Sequence, residues 1–159
     1  MKRSFEYEFK APIEKVFDEL VLNKNADKWL LDDYILGIEL IEEDSEAKGF
    51  VLKHKLNEEI TVRSYIEYSV LDYPNFAIAI EKWSVTDSGE NVADLSFMPF
   101  KKMHQRLSLT STPKGTKVKQ EVYMEQKNIF CWPICMFLVF PQARDGARKI
   151  YDKLDRYLT

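Results

Sequence analysis

Phe5-Glu6-Tyr7-Glu8-Phe9-Lys10-Ala11-Pro12-Ile13-Glu14-Lys15-Val16-Phe17-Asp18-Glu19-Leu20 changes its period halfway along. Phe5, Tyr7 and Phe9 alternate with charged residues, the period of two that half-buries a β-strand. Ala11-Pro12 ends that pattern. Pro12 suits the first turn of a helix, where its missing N–H would have had no partner, and Ile13, Val16, Phe17 and Leu20 then recur at helical spacing. The stretch therefore predicts a strand running directly into a short amphipathic helix.

Downstream, 23–29 predicts a second short helix and 35–41 a second strand. Five further apolar-alternating or β-branched segments follow, over 49–56, 59–71, 75–84, 103–112 and 116–126. Between them stand Asn57-Glu58, Asp72-Tyr73-Pro74 and Thr112-Pro113-Lys114-Gly115, short links with turn chemistry that favour hairpins and an antiparallel meander. The less regular stretch 85–102 reads as an elaborated loop or extra hairpin. From Gln142 the period turns helical again, with Ala143, Ala147, Ile150, Tyr151, Leu154 and Leu158 on one face.

A length of 159 residues favours one domain spanning 1–159. Lys plus Arg number 23 against 26 Asp plus Glu, so the formal net charge of −3 offers no global attraction to a nucleic-acid backbone. The amino terminus lacks the apolar run of a signal peptide, and two cysteines make no disulfide framework; a cytoplasmic location is expected. Aromatic residues are abundant, at 13% of the chain, and need either a core or a pocket to hold them.

One strand, two short helices, six antiparallel strands and a long closing helix resemble the START-like, or SRPBCC, superfamily, which includes the Bet v 1-like allergens and the polyketide cyclases. The residues that carry the resemblance are Phe5 to Leu20, with Trp29 downstream and the closing helix after Pro141. It implies an α+β helix-grip fold: a curved seven-stranded antiparallel sheet wrapped around a long C-terminal helix. It also implies a hydrophobic cavity between sheet and helix. Fold alone does not supply the ligand.

Strand parity assigns the cavity face. The inner phase would carry Phe50, Leu52, His54 and Leu56; Ile60, Val62, Ser64, Ile66, Tyr68 and Val70; and Phe76, Ile78 and Ile80. The last two strands would add Met103, Gln105, Leu107 and Leu109, then Val118, Gln120, Val122 and Met124. Ligand sites are apolar with a few converging polar groups, so His54, Ser64, Tyr68, Gln105 and Gln120 are the candidate polar contacts. Ile66, Ile78, Ile80, Leu107, Val122, Ala143, Ala147 and Ile150 are the candidate apolar ones. The competing reading makes each of them a core or rim residue satisfied locally. Small residues at Ala143, Gly146 and Ala147 would either pack closely on the sheet or leave room for a guest.

Binding of a small hydrophobic molecule, lipid-like or aromatic, is the leading expectation. A cyclase- or hydrolase-like enzyme is the alternative, with His54 and Tyr68 as its inward pair, but no Asp or Glu falls on the inner phase to serve as base or orienting partner. A protein-interaction module of the same scaffold is the third reading. The five glycines match no nucleotide-binding spacing, and Cys131 and Cys135 read as buried thiols rather than zinc ligands, so no metal and no cofactor is implied. Ile129 to Pro141 has no charge and is too short to span a bilayer, which takes about 20 residues. Pro133 would interrupt a helix there. The run would close one end of the sheet against Trp29, or form an exposed patch or gate, or make peripheral membrane contact beside Arg144, Arg148 and Lys149.

Overall fold

The alternation of Phe5, Tyr7 and Phe9 becomes strand β1 (Lys2–Phe9), whose inner side chains are increasingly enclosed towards Phe9. The computed structural model describes residues 1–43, 46–55, 61–85 and 99–159, with the backbone alone at 42–43, 46–48, 62 and 81–85. The Pro12 carbonyl accepts from Val16 N at 3.1 Å and opens α1 (Ile13–Leu20), which buries Ile13, Val16 and Phe17. Asn23 takes a left-handed conformation just past its end. The second helix, α2 (Ala26–Trp29), is a single turn and shorter than the expected 23–29.

Six strands follow: β2 (Ile35–Glu43), β3 (Glu46–Lys55), β4 (Thr61–Asp72), β5 (Phe76–Val85), β6 (Phe100–Thr112) and β7 (Gly115–Gln126). All pairs are antiparallel, and the order β1-β7-β6-β5-β4-β3-β2 makes one open sheet of seven strands. Register shifts at Ile35/Gly37, Ile41/Glu42, Val70/Asp72 and Phe100/Lys102 are the bulges that let such a sheet curl. Gly115, at φ +145, tightens the β6–β7 turn against β1; a Cβ there would lie 2.0 Å from the Phe9 carbonyl oxygen, so no other residue fits. The expected turn at 57–58 and most of the expected loop at 85–102 lie outside the described residues.

The closing helix begins earlier than its amphipathic period indicates. Asn128 caps it, its side-chain oxygen accepting from Cys131 N at 3.2 Å. Ile129–Cys131 is a 3-10 turn, α3 (Trp132–Ile134) follows, Cys135–Val139 is π-helical, and α4 (Phe140–Leu158) completes a helical rod of 30 residues. Pro133 is accommodated because it stands in the first turn of α3, immediately after the 3-10 turn. The π segment has a cause in Pro141. That residue has no N–H to offer, and the Phe140 N–H reaches back five residues to the Cys135 carbonyl, widening the turn before the proline.

Two clusters form the core. The larger joins Phe9, Val16, Phe17, Trp29, Tyr68, Leu107, Val118, Tyr151 and Leu154, while the smaller gathers Met103, Val122, Met124, Cys135 and Phe140. The apolar run 129–141 does not pack against Trp29. It contributes Cys135 and Phe140 to the smaller cluster and leaves Phe130 85% and Phe137 69% exposed, because a continuous helix can turn only one side of itself to the sheet.

Candidate functional site

Register fixes which residues share the concave face. Tyr68 pairs with Ala79, Ala79 with Gln105, Gln105 with Val122, and Val122 with Arg3, one row across five strands. Val70, Ala77, Leu107, Gln120 and Phe5 form the next row. Ser64, Ile66 and Tyr68 on β4, with Leu52 and Phe50 opposite on β3, continue the same face. Of the expected apolar contacts, Ile66, Leu107 and Val122 therefore stand on the concave side, whereas Ile78 and Ile80 do not.

The β5 phase is the reverse of the expected one. Ala77 is fully buried and Ala79 packs against the larger cluster, while Ile80 is 48% exposed and Phe76 and Ile78 share its row. Every residue from Phe76 to Ile80 is apolar, so size was the only clue to phase, and it misleads: the concave side of a tightly curled sheet takes the small residues. The expected inner Leu56 lies outside the described residues, as does the Val62 side chain.

The five polar candidates separate into three groups. His54 Nε2 lies 2.8 Å from Ser64 Oγ, a pair joining β3 to β4. Burial holds the His54 pKa below its usual value, outweighing a hydrogen bond at the Lys55 backbone. Gln105 and Gln120 belong to a chain in which Tyr151 Oη donates to Gln120 Oε1 and Gln120 Nε2 donates to Gln105 Oε1, so the closing helix is tied to the sheet through them. Tyr68 stands alone. It is 8% exposed, and its hydroxyl has no hydrogen-bond partner among the described residues. Burial raises its pKa, as it does more strongly for Tyr151.

His54 and Tyr68 do not converge. His54 is opposite Val62, six positions from Tyr68 along β4, or about 20 Å at ~3.3 Å per residue. The two side chains cannot act on one substrate atom.

Aromatic contacts grip the helix. Tyr151 packs on Phe5, Tyr7 and Phe9 at centroid distances of 6.2, 5.4 and 5.5 Å. Tyr7 Oη donates to Asp152 at 2.5 Å, and the Lys10 N–H donates to Asp155 at 2.9 Å. On the other side Lys153 bonds the Leu30 carbonyl at 3.2 Å and pairs with Asp32. Towards the start of α4 the grip loosens. Ala143 and Ala147 are half-buried and belong to neither core cluster, and the same is true of Gln105 on the sheet. Ile150 is half-buried at the border of the larger cluster. Gly146 is exposed, and a Cβ there would meet nothing within 4 Å, so it is not a packing residue. The small residues of α4 and Gln105 on the sheet thus stand outside both clusters, while Tyr68 belongs to the larger one and Ala79 packs against it.

None of the sequence signals used above marked Glu19. Its buried carboxylate accepts from Trp29 Nε1 at 3.0 Å, Asn25 N at 3.1 Å and Asn25 Nδ2 at 2.6 Å. This is a structural joint between α1 and α2, made entirely of donors that a charged acceptor satisfies. Cys135 is buried, with Sγ 3.8 Å from the Pro99 carbonyl oxygen, and its thiol pKa is raised by burial. Among the described residues no group of three or more His, Cys, Asp or Glu side chains could hold a metal ion, and no helix is long and apolar enough to cross a membrane.

The architecture is the START-like, Bet v 1-like helix-grip fold. The chain is similar over 99% of its length to the crystal structure of Ara h 8.0201, at a TM-score of 0.73 and 16% identity, covering 97% of that protein. A START superfamily protein from Mycobacterium smegmatis matches over 99% of both chains, at a TM-score of 0.70 and 15% identity. TTHA0849 from Thermus thermophilus matches at 0.67 and 13%, over 99% of this chain and 97% of that one. No protein-family model and no curated protein matches the sequence. At these identities the likeness is one of fold.

Proposed function

We propose that the chain is a single-domain binder of a small hydrophobic molecule, held between the curved sheet and α4. The observation that carries this reading is the Tyr68 hydroxyl. A buried phenol without a partner costs about 1–3 kcal/mol, and one polar group on an otherwise apolar guest removes that cost. The surrounding residues suit such a guest: Ile66, Gln105, Ala143, Ala147 and Ile150 are half-buried on faces that a solid core would seal. Ser64 on β4 and His54 beside it on β3 stand further from Tyr68 and would meet only a long ligand. Free thiols at Cys131 and Cys135 suit a reducing compartment such as the cytoplasm.

Native mass spectrometry of protein purified from its host, followed by extraction, tests the reading. The expected result is a bound small molecule of low polarity that is lost from Tyr68→Phe protein. A wild-type protein with no adduct, together with an experimental structure in which side chains fill the space between sheet and helix, would overturn it.

A further inference from the structure

A concavity runs along the seam between β1 and the front half of the helical rod. It is a cleft of about 300 Å³ whose walls include Arg3, Phe5, Val122, Phe137, Phe140 and Arg144. Its floor is the smaller core cluster, since Val122 and Phe140 belong to that cluster; Tyr68 is not among its walls.

Two features of the cleft call for an explanation. Arg3 occupies an inner-row position, paired with buried Val122, where its neighbours in phase are Phe5, Tyr7 and Phe9. Its guanidinium has no ion-pair or hydrogen-bond partner among the described residues. On the opposite wall Arg144 shares its Nε with Asp145 at 3.2 Å, and both side chains are at least half exposed, so the pair is weak and its remaining N–H groups are open to another anion. The second feature is Phe137, 69% exposed beside these charges, its ring edge-on to Trp132 at 6.2 Å. Two cations above apolar rings, with no carboxylate on the walls, complement a molecule that has an anionic head and a hydrocarbon chain.

We infer that this seam binds a single-chain anionic amphiphile, its carboxylate or phosphate between Arg3 and Arg144 and its chain against Phe5, Phe137 and Phe140. The cleft shares Val122 with the concave face but not Tyr68, so its occupancy is tested apart from that reading.

Isothermal titration of the whole protein at low ionic strength tests it, with dodecanoate, dodecyl phosphate and uncharged dodecanol, each below its micellar concentration. Both anions are expected to bind, and dodecanol about tenfold more weakly. R3Q and R144Q should each weaken the anions about fivefold, the loss of one partly exposed charge-assisted contact, and leave dodecanol unchanged. Tyr68→Phe should leave all three titrations as they are. Melting temperatures check that the exposed arginine substitutions leave folding intact. Equal binding of dodecanol, or arginine variants without effect, overturns the inference. So does loss of dodecanoate binding in Tyr68→Phe alone, which would place the molecule under α4 and favour the other site. Binding to phosphatidylglycerol vesicles without binding of the monomeric anions would also overturn it, making the seam a membrane-facing surface.

Discussion

Glu19 shows how one residue can hold two helices. Its carboxylate takes three hydrogen bonds from Trp29 and Asn25, and removing it strands the buried Trp29 donor together with two half-buried donors of Asn25. Glu19→Ala is therefore expected to destabilise the fold by about 3 kcal/mol, several times the effect of an exposed glutamate, as measured by urea unfolding. An effect below about 1 kcal/mol would mean that water reaches the joint. His54 gives a pH dependence. Its folded pKa lies below the ordinary 6.5, so between those two values the unfolded chain binds the extra proton and the folded chain does not. Stability is thus full above 6.5 and falls as pH drops through that value towards the folded pKa. Urea midpoints at neutral and mildly acidic pH should differ in the wild type, and the difference should shrink in His54→Gln, which keeps a hydrogen-bonding group for Ser64. Asp32 works in a lower window: burial alone would raise its pKa, but Lys153 and the Ile35 and Tyr34 N–H groups hold it below 3.8, so it does not confuse the comparison.

At the scale of elements the helical rod is two different objects joined at a π turn. The rear half is gripped by Tyr151 on β1, by Asp152 and Asp155, and by Lys153 on the α2–β2 connection. Its front half touches the sheet through Cys135 and Phe140, with Met136 and Val139 packed beside them, and shows Ile129, Phe130, Phe137 and Leu138 to solvent. Hydrogen exchange is expected to follow this division, slow over 148–158 and markedly faster over 129–139. Uniform protection along the rod would mean that something covers the front half. The sequence made the rear half plain, because its heptad-like spacing survives, and it hid the front half, where an unbroken apolar run has no phase. Asn128, an N-cap residue, marks its start, while Pro133, which looks like a breaker, acts here as a first-turn residue of α3. β5 failed for the same physical reason. Alternation carries information only when the two phases differ in polarity, and Phe76 to Ile80 do not. Where they do differ, as in β1, β4 and β7, the inner rows were readable, and so were the paired glutamines and Tyr68, though not the hydrogen bonds that set Tyr68 apart.

For the whole molecule, the question is whether the space between the two core clusters is vacant or merely loosely packed. Ala143 and Ala147 face it from α4, and the Tyr68–Ala79–Gln105 row faces it from the sheet, so a larger residue at 147 is a direct probe. In a vacant gap the added carbons of Ala147→Leu find apolar surface without displacing anything. Stability should then stay within about 0.5 kcal/mol of the wild type or rise by up to ~1 kcal/mol, while a small molecule that competes for the same volume loses at least about tenfold in affinity. In a packed interior the same substitution forces neighbours off their rotamers and costs about 1–3 kcal/mol. Urea unfolding with and without the guest extracted from native protein separates the two cases. A destabilised variant that still binds as the wild type does would move the binding site away from the gap and leave the Tyr68 hydroxyl without the role given to it.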